Sequence, residues 1–124
     1  MRSGPADFGS VLSRFFPGRT AGEVNRGSCF NWALHAKQTD PRAKLCVNWH
    51  SDPLFEGTAI AKTCDHAFVV VGERLFDAEH PTGVRSLRAL GWPGVVKVLP
   101  ERAFRLLWRS LSGGRRLAVA RRRR

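Results

Sequence analysis

The chain has 124 residues, 43% of them hydrophobic and 10% aromatic, which fits one compact domain with a buried core and excludes wholesale disorder. Its net charge of +11 and three cysteines exclude an acidic protein and a disulfide framework, and no apolar run reaches the ~20 residues of a membrane-spanning helix. The start, Met1-Arg2-Ser3-Gly4-Pro5, leads into no apolar h-region, so a cytoplasmic protein with reduced thiols is expected.

In chain order, residues 1–27 are rich in Gly, Pro and Arg, with a short helix predicted over Phe8–Phe16 before Pro17-Gly18. Ser28 is a good N-cap residue, because its hydroxyl can accept from the open amides of a first turn. Phe30, Ala33, Leu34 and Lys37 follow at helical spacing, and the helix should end near Asp40, before Pro41. Leu45 to Trp49 reads as a strand and residues 50–65 as a loop. His66 to Val71 and Arg74 to Asp77 flank Gly72-Glu73 and predict a hairpin with a two-residue turn. Gly91-Trp92-Pro93-Gly94 is a turn, Val95 to Leu99 a further strand, and Glu101 to Leu111 an amphipathic helix with Phe104, Leu107, Trp108 and Leu111 on one face. Gly113-Gly114 should break that helix. A helix followed by mainly antiparallel strands indicates an α+β fold.

The residues that carry chemistry lie in the middle. Cys29, just past the Ser28 cap, would sit in the first turn of a helix, where unpaired amides and the helix dipole favour a thiolate. A thiolate nucleophile needs a base, and the base needs a group to orient it. With a two-residue turn, Val71 pairs with Arg74, Val70 with Leu75 and Phe68 with Asp77. Side chains alternate along a strand, so His66, Phe68, Leu75, Asp77 and Glu79 share a face and Asp77 lies diagonal to His66. A three-residue turn would put Asp77 on the other face, and His80 would then be the alternative partner for the base. A rival arrangement is a zinc site from Cys46-x3-His50 and Cys64-x-His66, although neither pair has the tight turn-based spacing of structural zinc sites. His35 is expected on the helix surface.

The segment Gly27-Ser28-Cys29-Phe30-Asn31-Trp32-Ala33 resembles the start of the catalytic helix in papain-like cysteine peptidases. His66-Ala67-Phe68-Val69-Val70-Val71 followed by Asp77 resembles the His and Asp strands of transglutaminase-like proteins, and NlpC-type amidases are similar. Arg26-Gly27-x-Cys29 is faintly similar to arylamine N-acetyltransferases, which share the Cys, His, Asp order. The resemblance spans roughly residues 22–84. It implies a papain-like core, with the cysteine helix packed on a small antiparallel sheet, and a catalytic triad of Cys29 as nucleophile, His66 as base and Asp77 as orienter. It also implies a hydrolase or acyl transferase acting on a peptide or other amide through a thioester, as a peptidase, amidase or deamidase, with no cofactor and no metal. Papain-like peptidases place a glutamine six residues before the cysteine as an oxyanion donor; this chain has Glu23 there, which leaves Asn25 as the oxyanion-hole candidate.

The division expected is an N-terminal segment over 1–21, a papain-like domain over 22–112 and a disordered basic tail over 113–124. Residues 1–84 hold nine basic and nine acidic side chains, whereas residues 85–124 hold twelve basic residues and one acid, Glu101, so the whole excess charge lies there. Arg115, Arg116, Arg121, Arg122, Arg123 and Arg124 form a candidate polyanion-binding segment for nucleic acid or an anionic surface through phosphate contacts. Two further classes follow from these features: a non-catalytic basic binding module, and a small zinc-stabilised interaction domain.

Overall fold

The computed structural model describes residues 4–51 and 62–122, with side chains of the final helix described to residue 111. It is an α+β protein with the element order α1 (Gly9–Phe15), α2 (Ala21–Gly27), α3 (Cys29–Thr39), β1 (Lys44–Ser51), β2 (Lys62–Thr63), β3 (Ala67–Val71), β4 (Arg74–Asp77), β5 (His80–Val84), α4 (Leu87–Leu90), β6 (Val95–Val98) and α5 (Glu101–Arg122). The strands form one antiparallel sheet in the order β2-β1-β3-β4-β5, with β6 also paired to β1. Part of the loop expected over 50–65, residues 52–61, lies outside the described residues.

Strand alternation splits the core between the two faces of the sheet. Leu45, Val47, Ala67, Val69 and Phe76 point to the side covered by the helices, where they join Phe8, Val11, Val24, Trp32, Ala33 and Phe104. Cys46, Phe68 and Leu75 point to the other side, which Leu87 and Leu90 of α4 close, with Trp92 packed against them. The predicted face of the last helix holds: Phe104 is fully buried, and Leu107, Trp108 and Leu111 pack beside it. Phe30 of α3 joins the two helices, its ring 4.9 Å from Phe104 and 6.1 Å from Trp108.

Several elements depart from expectation. The Thr20-x-x-Glu23 capping box starts α2: Glu23 N donates to Thr20 Oγ1 (3.2 Å), and Thr20 N donates to Glu23 Oε1 (3.0 Å). Ser28 does occupy the N-cap of α3, but its side chain makes no capping bond; the hydroxyl instead accepts from Arg19 Nη1 at 2.9 Å. His35 is not a free surface residue, because its ring stacks on Phe15 at 4.0 Å. The last helix passes through Gly113-Gly114 to Arg122. Each glycine costs a helix about 1 kcal/mol relative to alanine, a penalty that the Leu, Ala and Arg on both sides can absorb. The Arg115, Arg116, Arg121 and Arg122 side chains, and the whole of Arg123 and Arg124, lie outside the described residues.

Candidate active site

The hairpin register decides which residues can meet. Val71 pairs with Arg74, Val70 with Leu75 and Val69 with Phe76, as a two-residue turn requires. Gly72 supplies the positive φ of that turn, +61°. Extending the register puts Asp77 opposite Phe68, diagonal to His66 on the same face. The two side chains are fully buried and hydrogen-bonded, with His66 Nε2 2.8 Å from Asp77 Oδ2.

Cys29, the first residue of α3, is a second polar neighbour of the imidazole. His66 Nδ1 is buried and makes no hydrogen bond, while the Cys29 side chain is near enough to act on the charge of the ring. Burial by itself disfavours the imidazolium. The hydrogen bond to Asp77, and the attraction of the Cys29 and Asp77 charges, outweigh it and hold His66 above the ordinary histidine range. Cys29 is 7% exposed, and it lies at the positive end of a helix of 11 residues. The sequence-predicted Cys29, His66 and Asp77 are therefore brought together.

Asp77 is fixed from several sides. Its Oδ1 accepts from the backbone amides of Glu79 (3.0 Å) and His80 (2.9 Å) and lies 2.9 Å from His80 Nδ1. Burial opposes its ionisation, but the bonds and charges of the two histidines prevail and hold the carboxyl below the ordinary aspartate range. His80 is thus a second partner of Asp77, not a replacement for it.

Asn25, the oxyanion-hole candidate, already has partners. Its Nδ2 donates to Glu79 Oε1 (2.8 Å) and its Oδ1 accepts from Ala78 N (3.2 Å), so it ties α2 to the turn that carries Asp77. An amide nitrogen has two N–H groups, which leaves one beyond the Glu79 bond. Glu23 caps its own helix, and the backbone and hydroxyl bonds from Thr20 lower its pKa.

Two residues that hold His66 in place escaped the sequence reading. Asn48 is fully buried on β1. Its Oδ1 accepts from Asp65 N (2.8 Å) and His66 N (2.7 Å), and its Nδ2 donates to Pro93 O (3.1 Å). Trp92 then lies over the imidazole, with ring centroids 4.5 Å apart and planes 12° from parallel. An asparagine amid strand-forming residues, opposite a run containing the base, was the available signal: a buried amide must find partners.

The zinc arrangement does not assemble. Cys46 is on the α4 side of the sheet, where desolvation pushes its thiol up to about 12, while Cys64 belongs to the opposite core. His50 pairs with Asp65. Among the described residues no group of three or more His, Cys, Asp or Glu is placed to hold a metal, and no helix is long and apolar enough to cross a membrane. No family model, curated protein or solved structure matches the chain.

Proposed function

We propose that this chain is a thiol-dependent hydrolase or acyl transferase of papain-like or transglutaminase-like type, acting on an amide bond through Cys29, His66 and Asp77. The observation that carries the reading is the buried His66 ring, bound at Nε2 by Asp77 and within electrostatic reach of a cysteine that begins a helix. The α+β core, with the cysteine helix across an antiparallel sheet, agrees with it.

The chemistry follows from the geometry. His66 takes the thiol proton, and the Cys29 thiolate attacks the carbonyl carbon of the substrate. The candidates to stabilise the oxyanion of the tetrahedral intermediate are the Cys29 amide at the start of α3 and the remaining side-chain N–H of Asn25 on α2. The imidazolium returns its proton to the leaving amine, the C–N bond breaks and a thioester remains. His66 then deprotonates water, giving hydrolysis or deamidation, or an incoming amine, giving transfer. Asp77 holds the ring and stabilises its cationic form in each half-reaction.

Alkylation and acyl trapping test this reading. At mildly acidic pH, iodoacetamide should label Cys29 at least tenfold faster than Cys46, and His66→Ala should abolish the difference. With activated ester or amide acyl donors, mass spectrometry should find a thioester adduct on Cys29 that is lost on treatment with hydroxylamine. Equal labelling of the cysteines, or labelling indifferent to His66, would overturn the proposal.

A further inference from the structure

The proposed chemistry uses one histidine, yet Asp77 binds two. His80 begins β5 directly opposite Asp77. Its Nδ1 meets Oδ1 at 2.9 Å while His66 Nε2 meets Oδ2 at 2.8 Å. The carboxylate therefore bridges a fully buried imidazole and one whose side chain is 34% exposed. We propose that His80 is a positioning residue for His66 that acts through the Asp77 carboxylate and makes Cys29 reactivity respond to the protonation of a solvent-reached imidazole. This rests on the Cys29–His66–Asp77 reading and adds a control to it.

The two states of His80 differ in what they leave for His66. Neutral His80 donates Nδ1–H to Oδ1, which orients the carboxylate and keeps its negative charge available to the His66 imidazolium. Protonated His80 makes the same bond but brings a full positive charge. That charge competes for the carboxylate and repels the His66 imidazolium, so the thiolate–imidazolium pair loses stabilisation. Protonation of His80 thus lowers Cys29 reactivity without any change in the protonation of Asp77.

The surroundings leave few other charges to act in this way. The groups facing Asp77 are His66, from the segment before β3, and His80 from β5; Cys29 of α3 neighbours His66. Glu79 in the intervening turn is bound by Asn25 of α2. The helix α4 packs on β4 and β5 with Leu87 and Leu90 inward, and its Arg88 is exposed. The chain before α1 meets β5 through Phe8 N and Pro81 O, with Asp7 exposed.

The test compares the full chain with His80→Asn, whose side-chain amide can occupy the place of Nδ1–H but does not titrate. The rate of Cys29 alkylation by iodoacetamide is followed from pH 8 to pH 4. The wild-type rate should fall on the acid side with a slope approaching two protons. In His80→Asn it should match the wild type at pH 8 and fall with a slope of one proton, the limb displaced to lower pH by roughly half a unit to one unit, a threefold to tenfold higher rate at the midpoint. Superimposable profiles would overturn the proposal. Imidazole NMR titration of the wild type supplies a second readout that needs no variant and no reactive cysteine: the His66 signal should shift in step with His80 as well as with its own proton. A His66 signal blind to His80 would also overturn the proposal. Slow, His66-independent alkylation combined with coupled imidazole signals would instead overturn the catalytic reading alone.

Discussion

Asp77 concentrates the energetics of the site in one side chain. It is 0% exposed and accepts from His66, from His80 and from two backbone amides. Its folded pKa lies below the ordinary aspartate value, so the unfolded chain takes up its proton more readily than the folded protein. The resulting stability is complete above the ordinary range near ~4 and is lost as the pH falls through the folded value. His66 has the opposite sign: its pKa is raised, so its contribution is complete below the ordinary histidine range near ~6.5 and is lost as the pH rises through the folded value. Asp77→Asn removes the charge common to both arms. Breaking a buried pair costs about 3–5 kcal/mol at neutral pH, and the variant's melting temperature should depend less on pH at both ends. Thermal denaturation followed by circular dichroism from pH 3 to pH 8 measures this; a variant curve parallel to the wild type would contradict it. The Cys29, His66 and Asp77 set was legible because each residue announces its chemistry and the hairpin length fixes the face. The second bond of Asp77 was not, since it depends on the sharp β4–β5 turn, for which no Asn-Gly or Asp-Gly pair gives a signal.

At the scale of elements, the base is positioned by β1 and the β6 approach more than by its own strand. Asn48 on β1 reaches across to the Asp65 and His66 amides and to Pro93 O, binding the start of β3 to the turn that lays Trp92 on the ring. That turn follows Gly91 and closes with Gly94 at φ +99°, where a Cβ would stand 2.6 Å from Trp49 O, so the chain passes close to β1 only because residue 94 lacks a side chain. Asn48→Ala leaves two amides and a carbonyl without their partner. It should cost about 2–4 kcal/mol, of which the buried His66 amide accounts for ~1–3 kcal/mol and the two part-buried bonds for the rest. It should also slow Cys29 alkylation severalfold, because the imidazole loses its fixed orientation. Urea denaturation and alkylation rates on the same preparation separate the two effects; an unchanged alkylation rate in a folded but weaker protein would show that Asn48 serves stability alone. The main helices and strands were readable from periodicity, as in the buried stripe of α5. Helix α4 and strand β5 were missed, because four or five residues are too few for periodicity to show, and α2 went unseen although its capping box was present in the sequence.

Across the whole molecule, charge and chemistry occupy different parts of the chain. The proposed Cys29, His66 and Asp77 all lie within residues 1–84, where acids and bases balance, while the excess of +11 begins at residue 85. The one acid of that last third, Glu101, is bound by Arg105 at 3.1 Å, which leaves eleven basic residues there with no acid of the same segment to balance them. Helix α5 is anchored by Phe104, with Leu107, Trp108 and Leu111 beside it, and all four precede Arg115, Arg116 and Arg121–Arg124. Replacing those six arginines with glutamine, whose helix propensity is close to that of arginine, should therefore leave the melting temperature within a few degrees of the wild type. Binding to a labelled duplex should respond strongly. For the wild type, log K should fall linearly with log[salt], with little preference among sequences, because phosphate contacts position without specifying. The variant's slope should be shallower by as much as about 5, the value for six lost phosphate contacts. Alkylation of Cys29 should be the same in both proteins, since the bonds described for His66 and Asp77 come from Asn48, Glu79 and His80 and from each other. Titrations at two salt concentrations with both proteins decide the matter. Salt-independent affinity, or sequence-selective binding that survives the six substitutions, would show that the folded body itself reads nucleic acid.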